Sequence, residues 1–392
     1  MIQRTVFDDL LEITSNFPAL MLIGPRQIGK TTIAKELAML SGKAYHYFDL
    51  ENENDLYVLK NNALEVLNAL KNDMVIIDEV QTHPPLLSAL RSIIDSHRVA
   101  GRFILLGSAD PSLVKGISES LAGRVIYQEI TQININEAIA NSIDINTLWF
   151  RGGFPESLLL KTDKLWYLWT DSFINAYVYR DMNKLFDIKL NPQTIIKLWA
   201  MLAHLNSEVE NLENIGRSLG ITGTQVKKYI EFMQGAYLIR KLAPWHVNNG
   251  KRLVKSAKIY IRTPAILHHL LQVSRYKNLL THPALGASWE AFVVEQIYNS
   301  LPNSFQMYYY RTQHGAEIDV VIVKGVTPIA SIEIKYSDAP TLSKGNHECA
   351  SDLQTNNNYV ITPNSRTVML ASNFKVVSLV NFIQIELIKL CS

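Results

Sequence analysis

The segment Gly24-Pro25-Arg26-Gln27-Ile28-Gly29-Lys30-Thr31 sets two glycines, a lysine and a hydroxyl at the spacing G-x-x-x-x-G-K-[ST]. The chemistry suited to that pattern is the cradling of a triphosphate. Glycines at 24 and 29 let the backbone curl so that its N–H groups point inward at phosphate oxygens. A helix opening near Lys30 turns the positive end of its dipole toward the same anion. Lys30 is expected to reach the β- and γ-phosphates, and the Thr31 hydroxyl to coordinate magnesium. Pro25, Arg26, Gln27 and Ile28 line the loop and Thr32 continues it, so Gly24–Thr32 is the expected binding segment for ATP with Mg2+.

A second constellation is Met74-Val75-Ile76-Ile77-Asp78-Glu79. Four apolar residues predict a buried strand that delivers Asp78 to its carboxyl end. Asp78 would hold the magnesium and Glu79 would polarise the attacking water. Taken alone, the same residues also describe a strand ending in two surface acids. Phe103–Gly107 is a further apolar run ending at Ser108. That serine fits either a γ-phosphate sensor on a neighbouring strand or an ordinary turn residue.

Near the C-terminus, Glu317-Ile318-Asp319 and Ile332-Glu333-Ile334-Lys335 predict two strands joined around Lys324-Gly325-Val326. Period-2 alternation puts Glu333 and Lys335 on one face and Ile332 and Ile334 on the other. Asp319 and Glu333 are candidate metal ligands with Lys335 adjacent, and Glu290 or Glu295 on a preceding helix could add an acid. The bland alternative is a half-exposed strand with alternating charges. Between these regions, Leu212–Ile239 reads as helix, turn, helix, with Thr222, Thr224, Gln225, Lys227 and Lys228 at the start of the second helix. Such groups suit contacts with nucleic acid. Lys241, Lys251, Arg252, Lys255 and Lys258 make the following stretch locally basic. Equally, helix-turn-helix shapes serve as packing modules.

The elements that must position these residues are legible in outline. Ala19–Ile23, Ala44–Leu50, Met74–Ile77 and Arg102–Leu106 are strand-length apolar runs alternating with helices at Lys30–Leu40 and Pro85–Ser96. That order predicts a parallel α/β sheet covered on both faces. Beyond Gly152-Gly153-Phe154-Pro155 the pattern is mostly helical to about residue 275. A helix at Ser288–Ser300 and strands at Met307–Arg311, Ile318–Val323 and Ala330–Tyr336 follow. The expected division is 1–155, 156–283 and 284–392.

Composition narrows the class. The chain has 392 residues, 47% hydrophobic and 19% charged, which is the balance of a folded globular protein. A net charge of +2 gives no whole-molecule attraction to nucleic acid or membrane. Two cysteines, Cys349 and Cys391, make neither a disulfide framework nor a zinc site, so no disulfide partner is expected. No apolar run approaches the roughly 20 residues of a membrane span, and the N-terminus does not read as a signal peptide. No membrane association is expected, and the cytoplasm is the expected compartment.

Several segments together resemble the prokaryotic AAA+-type predicted ATPases. They are Gly24–Thr32, Ile77-Asp78-Glu79-Val80-Gln81, Leu106-Gly107-Ser108 and Ser120-Leu121-Ala122-Gly123-Arg124. Gly152–Glu156, Tyr179-Arg180-Asp181, Leu242-Ala243-Pro244-Trp245 and Lys258-Ile259-Tyr260 also look like family elements. The resemblance implies a P-loop NTPase sheet of AAA+ type. It also implies that Arg124 contacts a γ-phosphate, in cis or as a finger supplied by a neighbour in a homo-oligomer; a salt-bridged surface arginine is the alternative. Leu212–Ile239 is similar to a winged-helix element, and the strands carrying Asp319, Glu333 and Lys335 resemble the PD-(D/E)xK core of a restriction-endonuclease-like domain. The function implied is a Mg-dependent ATPase whose cycle controls a half that binds or cleaves DNA or RNA. The alternative is an ATP-dependent switch or scaffold whose C-terminal half is catalytically silent and binds protein.

Overall fold

The computed structural model describes residues 2–108, 121–181, 191–246, 253–364, 366–370 and 373–392. Ser120, Lys251 and Arg252 and the side chain of Asp181 lie outside the described residues.

The short apolar runs of the first third become β1 (Ala19–Ile23), β2 (Tyr45–Asp49), β3 (Met74–Asp78) and β4 (Phe103–Gly107). A fifth strand, β5 (Val125–Glu129), adds to the sheet. Their order is β2-β3-β4-β1-β5, and every pairing is parallel. Every residue of β3 and β4 is buried, as expected of central strands covered on both faces. Parallel strands end on one edge of the sheet, so the loops after β1, β3 and β4 open together. Because β4 lies between β1 and β3, Ser108 stands between the Gly24 loop and Asp78-Glu79.

Helix α1 (Phe7–Asn16) precedes β1 and α2 (Lys30–Leu40) follows the loop, burying Ile33, Ala34, Leu37 and Ala38. The acidic and polar stretch after β2 forms α3 (Glu53–Ala69), capped by Asn52, which accepts from the N–H groups of Asn54 and Asp55. Helix α4 (Leu86–Ser96) packs on the same sheet face as α3, through Leu87, Leu90 and Ile94.

The middle region is helical. Leu212–Leu219 ends at Gly220, whose φ of +69° is the left-handed conformation glycine adopts without strain. Gly223–Gly235 then starts with a capping box between Thr222 and Gln225. An antiparallel pair follows, β6 (Ile239–Leu242) with β7 (Lys258–Ile261).

The last region carries the helix Leu285–Ser300 and strands β8 (Phe305–Arg311), β9 (Glu317–Lys324), β10 (Thr327–Ile334), β11 (Asn357–Thr362), β12 (Val368–Met369) and β13 (Phe374–Ser378). Their order is β12-β13-β11-β10-β9-β8, antiparallel from β8 to β10 and parallel from β10 through β11 to β13. Alternation along β9 sends Val320 and Ile322 to one face and Val321 and Val323 to the other, where Cys349 and Leu353 of helix Lys344–Leu353 cover them.

One apolar cluster runs from Leu10 to Leu387 through all three regions. At its centre buried His268 has Nδ1 2.8 Å from the Phe150 carbonyl and Nε2 2.7 Å from Ser288 Oγ, which also accepts from Trp149 Nε1 at 3.0 Å. Burial holds this imidazole down to about 4, so it is neutral near pH 7. Both cysteines are free thiols, and among the described residues no helix is long and apolar enough to cross a membrane.

Candidate functional site

The loop after β1 leaves the sheet at Gly24. Its φ is +142°, and a Cβ there would meet the Ile130 carbonyl oxygen at 2.5 Å, so only glycine lets the loop pass so close to the end of β5. Ile130 N–H donates to the Ile23 carbonyl at 2.7 Å and stitches the two strand ends together. Gly29, at φ +97°, turns the chain into α2.

A cavity of about 390 Å³ opens above this loop, lined by Arg26, Gln27, Gly29, Lys30, Thr31, Thr32, Asp78, Glu79, Ser108, Pro155 and Glu156. The structure therefore brings the sequence candidates Lys30, Thr31, Asp78, Glu79 and Ser108 around one space. Lys30 Nζ donates to the carbonyls of Gly24 and Pro25, both at 2.9 Å, and to Ser108 Oγ at 3.1 Å. Burial lowers this ammonium to about 8 against the opposing pull of Glu79 and Asp78. A buried cation resting on carbonyls and a hydroxyl is under-compensated, and a phosphate oxygen is the partner it lacks.

Thr31 Oγ1 donates to Asp78 Oδ2 at 2.7 Å. This hydroxyl–carboxylate pair is the donor set a magnesium ion takes at a triphosphate, directly or through water. Tyr47 OH, from β2, donates to the same Asp78 oxygen at 2.9 Å. Glu79, at φ +52°, accepts from Ser108 Oγ at 2.9 Å and from Gln81 Nε2, with Arg26 3.7 Å away. Arg26 also reaches Glu51 at 2.6 Å. Ser108 thus touches both Lys30 and Glu79, more than a turn serine does.

The sequence singles out no role for Tyr47, and gives Gln81 and Glu156 only as parts of family segments. Gly152–Glu156 was noticed as a family element without a role; in the fold it returns Pro155 and Glu156 to the wall of the cavity.

Arg124 is placed elsewhere, which corrects the reading in which it serves its own chain's site. It precedes Val125, which pairs with Ala19 at the start of β1, whereas the phosphate loop follows Ile23 at the other end. Those ends lie about 13 Å apart along the strand. Arg124 instead forms a two-pronged pair with Asp95, Nε–Oδ1 2.6 Å and Nη2–Oδ2 2.8 Å.

The C-terminal candidates line a second cavity of about 550 Å³, with Glu317, Asp319, Glu333, Lys335, Ser343 and Asn346 in its wall. Lys335 Nζ is 2.6 Å from Glu333 Oε1, and Asp319 Oδ2 accepts from the Ile334 N–H at 2.9 Å. Three expectations need correction. Among the described residues no three acidic, histidine or cysteine side chains converge as a metal site. Lys258, expected on a basic exposed stretch, is buried among carboxylates, 3.0 Å from Glu290, 3.2 Å from Asp319 and in contact with Glu317. Glu295 is not at this cavity: Arg240 at 2.7 Å and Arg262 at 2.8 Å hold it, and they keep its carboxyl at about 2 despite burial. Arg262 also pairs with Glu129 at the end of β5, 2.6 Å away.

On the helix Gly223–Gly235, Thr224, Gln225, Lys227 and Lys228 are exposed, while Val226, Ile230 and Met233 are buried. Lys241 is paired with Glu210 at 2.8 Å, so it adds little to that exposed face.

Comparison with known proteins agrees with the first cavity. Residues 16–139 match the AAA domain family, 142–277 a domain of unknown function, DUF8612, and 285–382 another, DUF4143. The uncharacterized proteins Rv2008c of Mycobacterium tuberculosis and Mb2031c of Mycobacterium bovis are each 36% identical over 338 residues, 86% of this chain and 74% of theirs. Among solved structures, the Walker-type ATPase PABY2304 of Pyrococcus abyssi aligns with a TM-score of 0.44 and 14% identity, over 69% of this chain and 96% of its own. AMPPCP-bound DnaA of Aquifex aeolicus aligns at 0.33 and 15%, over 58% and 86%. These structural likenesses are too distant to assign a role to any residue. At 36% identity the mycobacterial relatives show the family: the chain belongs to it, and its first domain is an AAA-type ATPase domain.

Proposed function

We propose that the chain binds ATP with magnesium in the cavity around Lys30 and hydrolyses it. The observation that carries this reading is the convergence of Lys30, Thr31, Asp78, Glu79 and Ser108 on one space. Lys30 exchanges its internal hydrogen bonds for the β- and γ-phosphate oxygens. Thr31 and Asp78 hold the magnesium, which supplies charge neutralisation between the phosphates. Glu79 accepts a hydrogen bond from the attacking water and aligns it. Ser108, bonded to both Lys30 and Glu79, couples the position of one to the other. Arg124 lies at the opposite end of the sheet from its own phosphate loop, so its role as a finger requires a neighbouring chain in a homo-oligomer.

The nucleotide cycle then acts on the half beyond Gly153. The exposed Thr224, Gln225, Lys227 and Lys228 support a winged-helix-like contact with DNA or RNA. The pocket shared by Asp319, Glu333 and Lys335 supports a nuclease-like origin for the last domain. A second reading, an ATP-dependent switch whose C-terminal half is catalytically silent, is favoured by Lys258 sitting among the carboxylates.

ATP turnover measured alone and with single- or double-stranded DNA or RNA tests these readings. Turnover raised severalfold by one nucleic acid selects the first. Equal turnover under all conditions selects the second, and no turnover under any condition contradicts both.

A further inference from the structure

Lys30 is not the only cation in the wall of the nucleotide cavity. Arg26 belongs to the same phosphate loop, four residues before Lys30, and both line the space. Its side chain is 12% exposed, so the guanidinium is held at the rim rather than free in solvent. Nη2 lies 2.6 Å from Oε1 of Glu51, which does not line the cavity, and 3.7 Å from Oε1 of Glu79, which does. That Glu79 oxygen is the one that accepts from Ser108 Oγ at 2.9 Å. Lys30 senses the Arg26 charge. Burial is the main cause that lowers the ammonium, and the guanidinium adds to it. Two like charges thus stand near each other in one loop, and a polyanion between them relieves the repulsion.

We propose that Arg26 is a catalytic residue for ATP hydrolysis: its guanidinium exchanges Glu51 for the γ-phosphate and stabilises the charge that develops there in the transition state. The inference rests on the ATPase reading and deepens it. A guanidinium is charged at every working pH and presents a planar fork of donors that suits phosphate oxygens. Its pair with Glu51 is readily exchanged, because that carboxylate is 33% exposed and water screens the attraction. In the reaction the water oxygen bonds to the γ-phosphorus as the bond from phosphorus to the β–γ bridging oxygen breaks, and that electron pair leaves on ADP. The proton shed by the water passes by way of Glu79 to the phosphate product or to solvent. Glu79 aligns this water, so a guanidinium 3.7 Å from its Oε1 is placed beside the phosphoryl group as it transfers.

Arg26 thereby supplies within one chain what Arg124 could supply only from a neighbour. Arg124 precedes the strand residue opposite Ala19, at the far end of the sheet, whereas Arg26 is part of the loop itself. Without Arg26, Lys30 alone would meet the phosphates among the three carboxylates of the wall, Asp78, Glu79 and Glu156.

The test compares plain ADP with ADP and aluminium fluoride, which mimics the phosphoryl group in transfer, each with Mg2+ on the full chain. Calorimetry reads binding, beside steady-state turnover of ATP. Arg26→Met, and Arg26→Gln as a second variant, should bind ADP within about threefold of wild type, which also reports that they are folded. They should bind ADP with aluminium fluoride about a hundredfold more weakly and turn over ATP about 10³-fold more slowly. Arg26→Lys keeps the charge without the fork and should regain about tenfold of that turnover. Glu51→Gln removes only the partner outside the cavity, and its turnover should match wild type. Turnover within about threefold of wild type in Arg26→Met and Arg26→Gln overturns the proposal while the ATPase reading stands. Two other results overturn it by making Arg26 a support of the loop: equal loss of ADP and of ADP with aluminium fluoride, or Glu51→Gln as slow as Arg26→Met. Wild type that binds neither ADP nor ATP refutes the ATPase reading itself.

Discussion

One buried lysine, Lys30, lines the first cavity and another, Lys258, lies against Glu317 and Asp319 in the wall of the second, and their surroundings are opposite. Lys30 hydrogen-bonds to two carbonyls and a hydroxyl, and burial holds it down to about 8. For Lys258, burial pulls the same way, but Tyr260, Glu290, Asp319 and Glu317 overcome it and hold the ammonium well above its ordinary value. In the first site no carboxylate bonds the ammonium directly, which leaves it free to take an anion. The second has carboxylate to spare and already holds its cation. The difference shows that a buried lysine in a cavity identifies no chemistry until its partners are known.

The contrast can be broken at several points. The largest effect is expected from Glu79→Gln. It removes the carboxylate that aligns water but leaves Lys30, Thr31 and Asp78, so turnover should fall by about 10²–10⁴ while nucleotide binding persists. Steady-state turnover beside equilibrium binding checks it; equal loss of both would make Glu79 a folding or binding group. Next is Arg262→Met, which strands Glu129 and leaves Glu295 to Arg240 alone. Losing one partner of a buried ion network costs about 3–5 kcal/mol, read in denaturant unfolding. An unchanged midpoint would mean the two regions are not joined there.

Smaller effects come from pH, and both sites should weaken as pH rises, one through a lowered ammonium and one through a raised carboxyl. Lys30 in the free chain titrates near 8, and bound phosphates raise it, so above pH 8 ATP binding must take up a proton. Affinity should then weaken by about tenfold per pH unit, with proton uptake visible by calorimetry in buffers of different ionisation heat. Glu333 gives a loss in the same direction, read in stability rather than in affinity. Burial and the nearby Asp319 charge raise its carboxyl from 4.5 to about 8, so its stabilising protonated form is present below pH 4.5 and lost as pH rises through 8. Glu333→Gln should flatten the fall in Tm between pH 5 and 8 by a few degrees. A parallel pair of curves would show that Glu333 is ionised and satisfied throughout.

Local pattern made the first site legible. A fixed-spacing motif, an apolar run before Asp78-Glu79 and another before Ser108 each carry their own strand, and parallel topology did the rest. What sequence could not show is which side chains arrive from far away. Tyr47 reaches Asp78 only because β2 pairs with β3. Lys258 looked like one more charge in a basic stretch; pairing of β7 with β6 turned it inward, toward an aspartate 61 residues on. The family pattern implies a γ-phosphate contact for Arg124, in cis or from a neighbouring chain, and leaves a salt-bridged surface arginine as the alternative. Register excludes contact with its own chain's phosphate loop, since it precedes the strand residue opposite Ala19. The helix α3 and strand β5 were not anticipated, because polar residues in α3 and a half-exposed edge in β5 blur their periodicity.

The central claim is that the cavity around Lys30 binds a nucleoside triphosphate through that ammonium. Calorimetric titration of ATP with magnesium into wild type and Lys30→Met tests it most directly. Wild type should bind one ATP per chain, and Lys30→Met, folded to the same extent by circular dichroism, should bind none detectably. Equal ATP affinity in the two proteins would contradict the account.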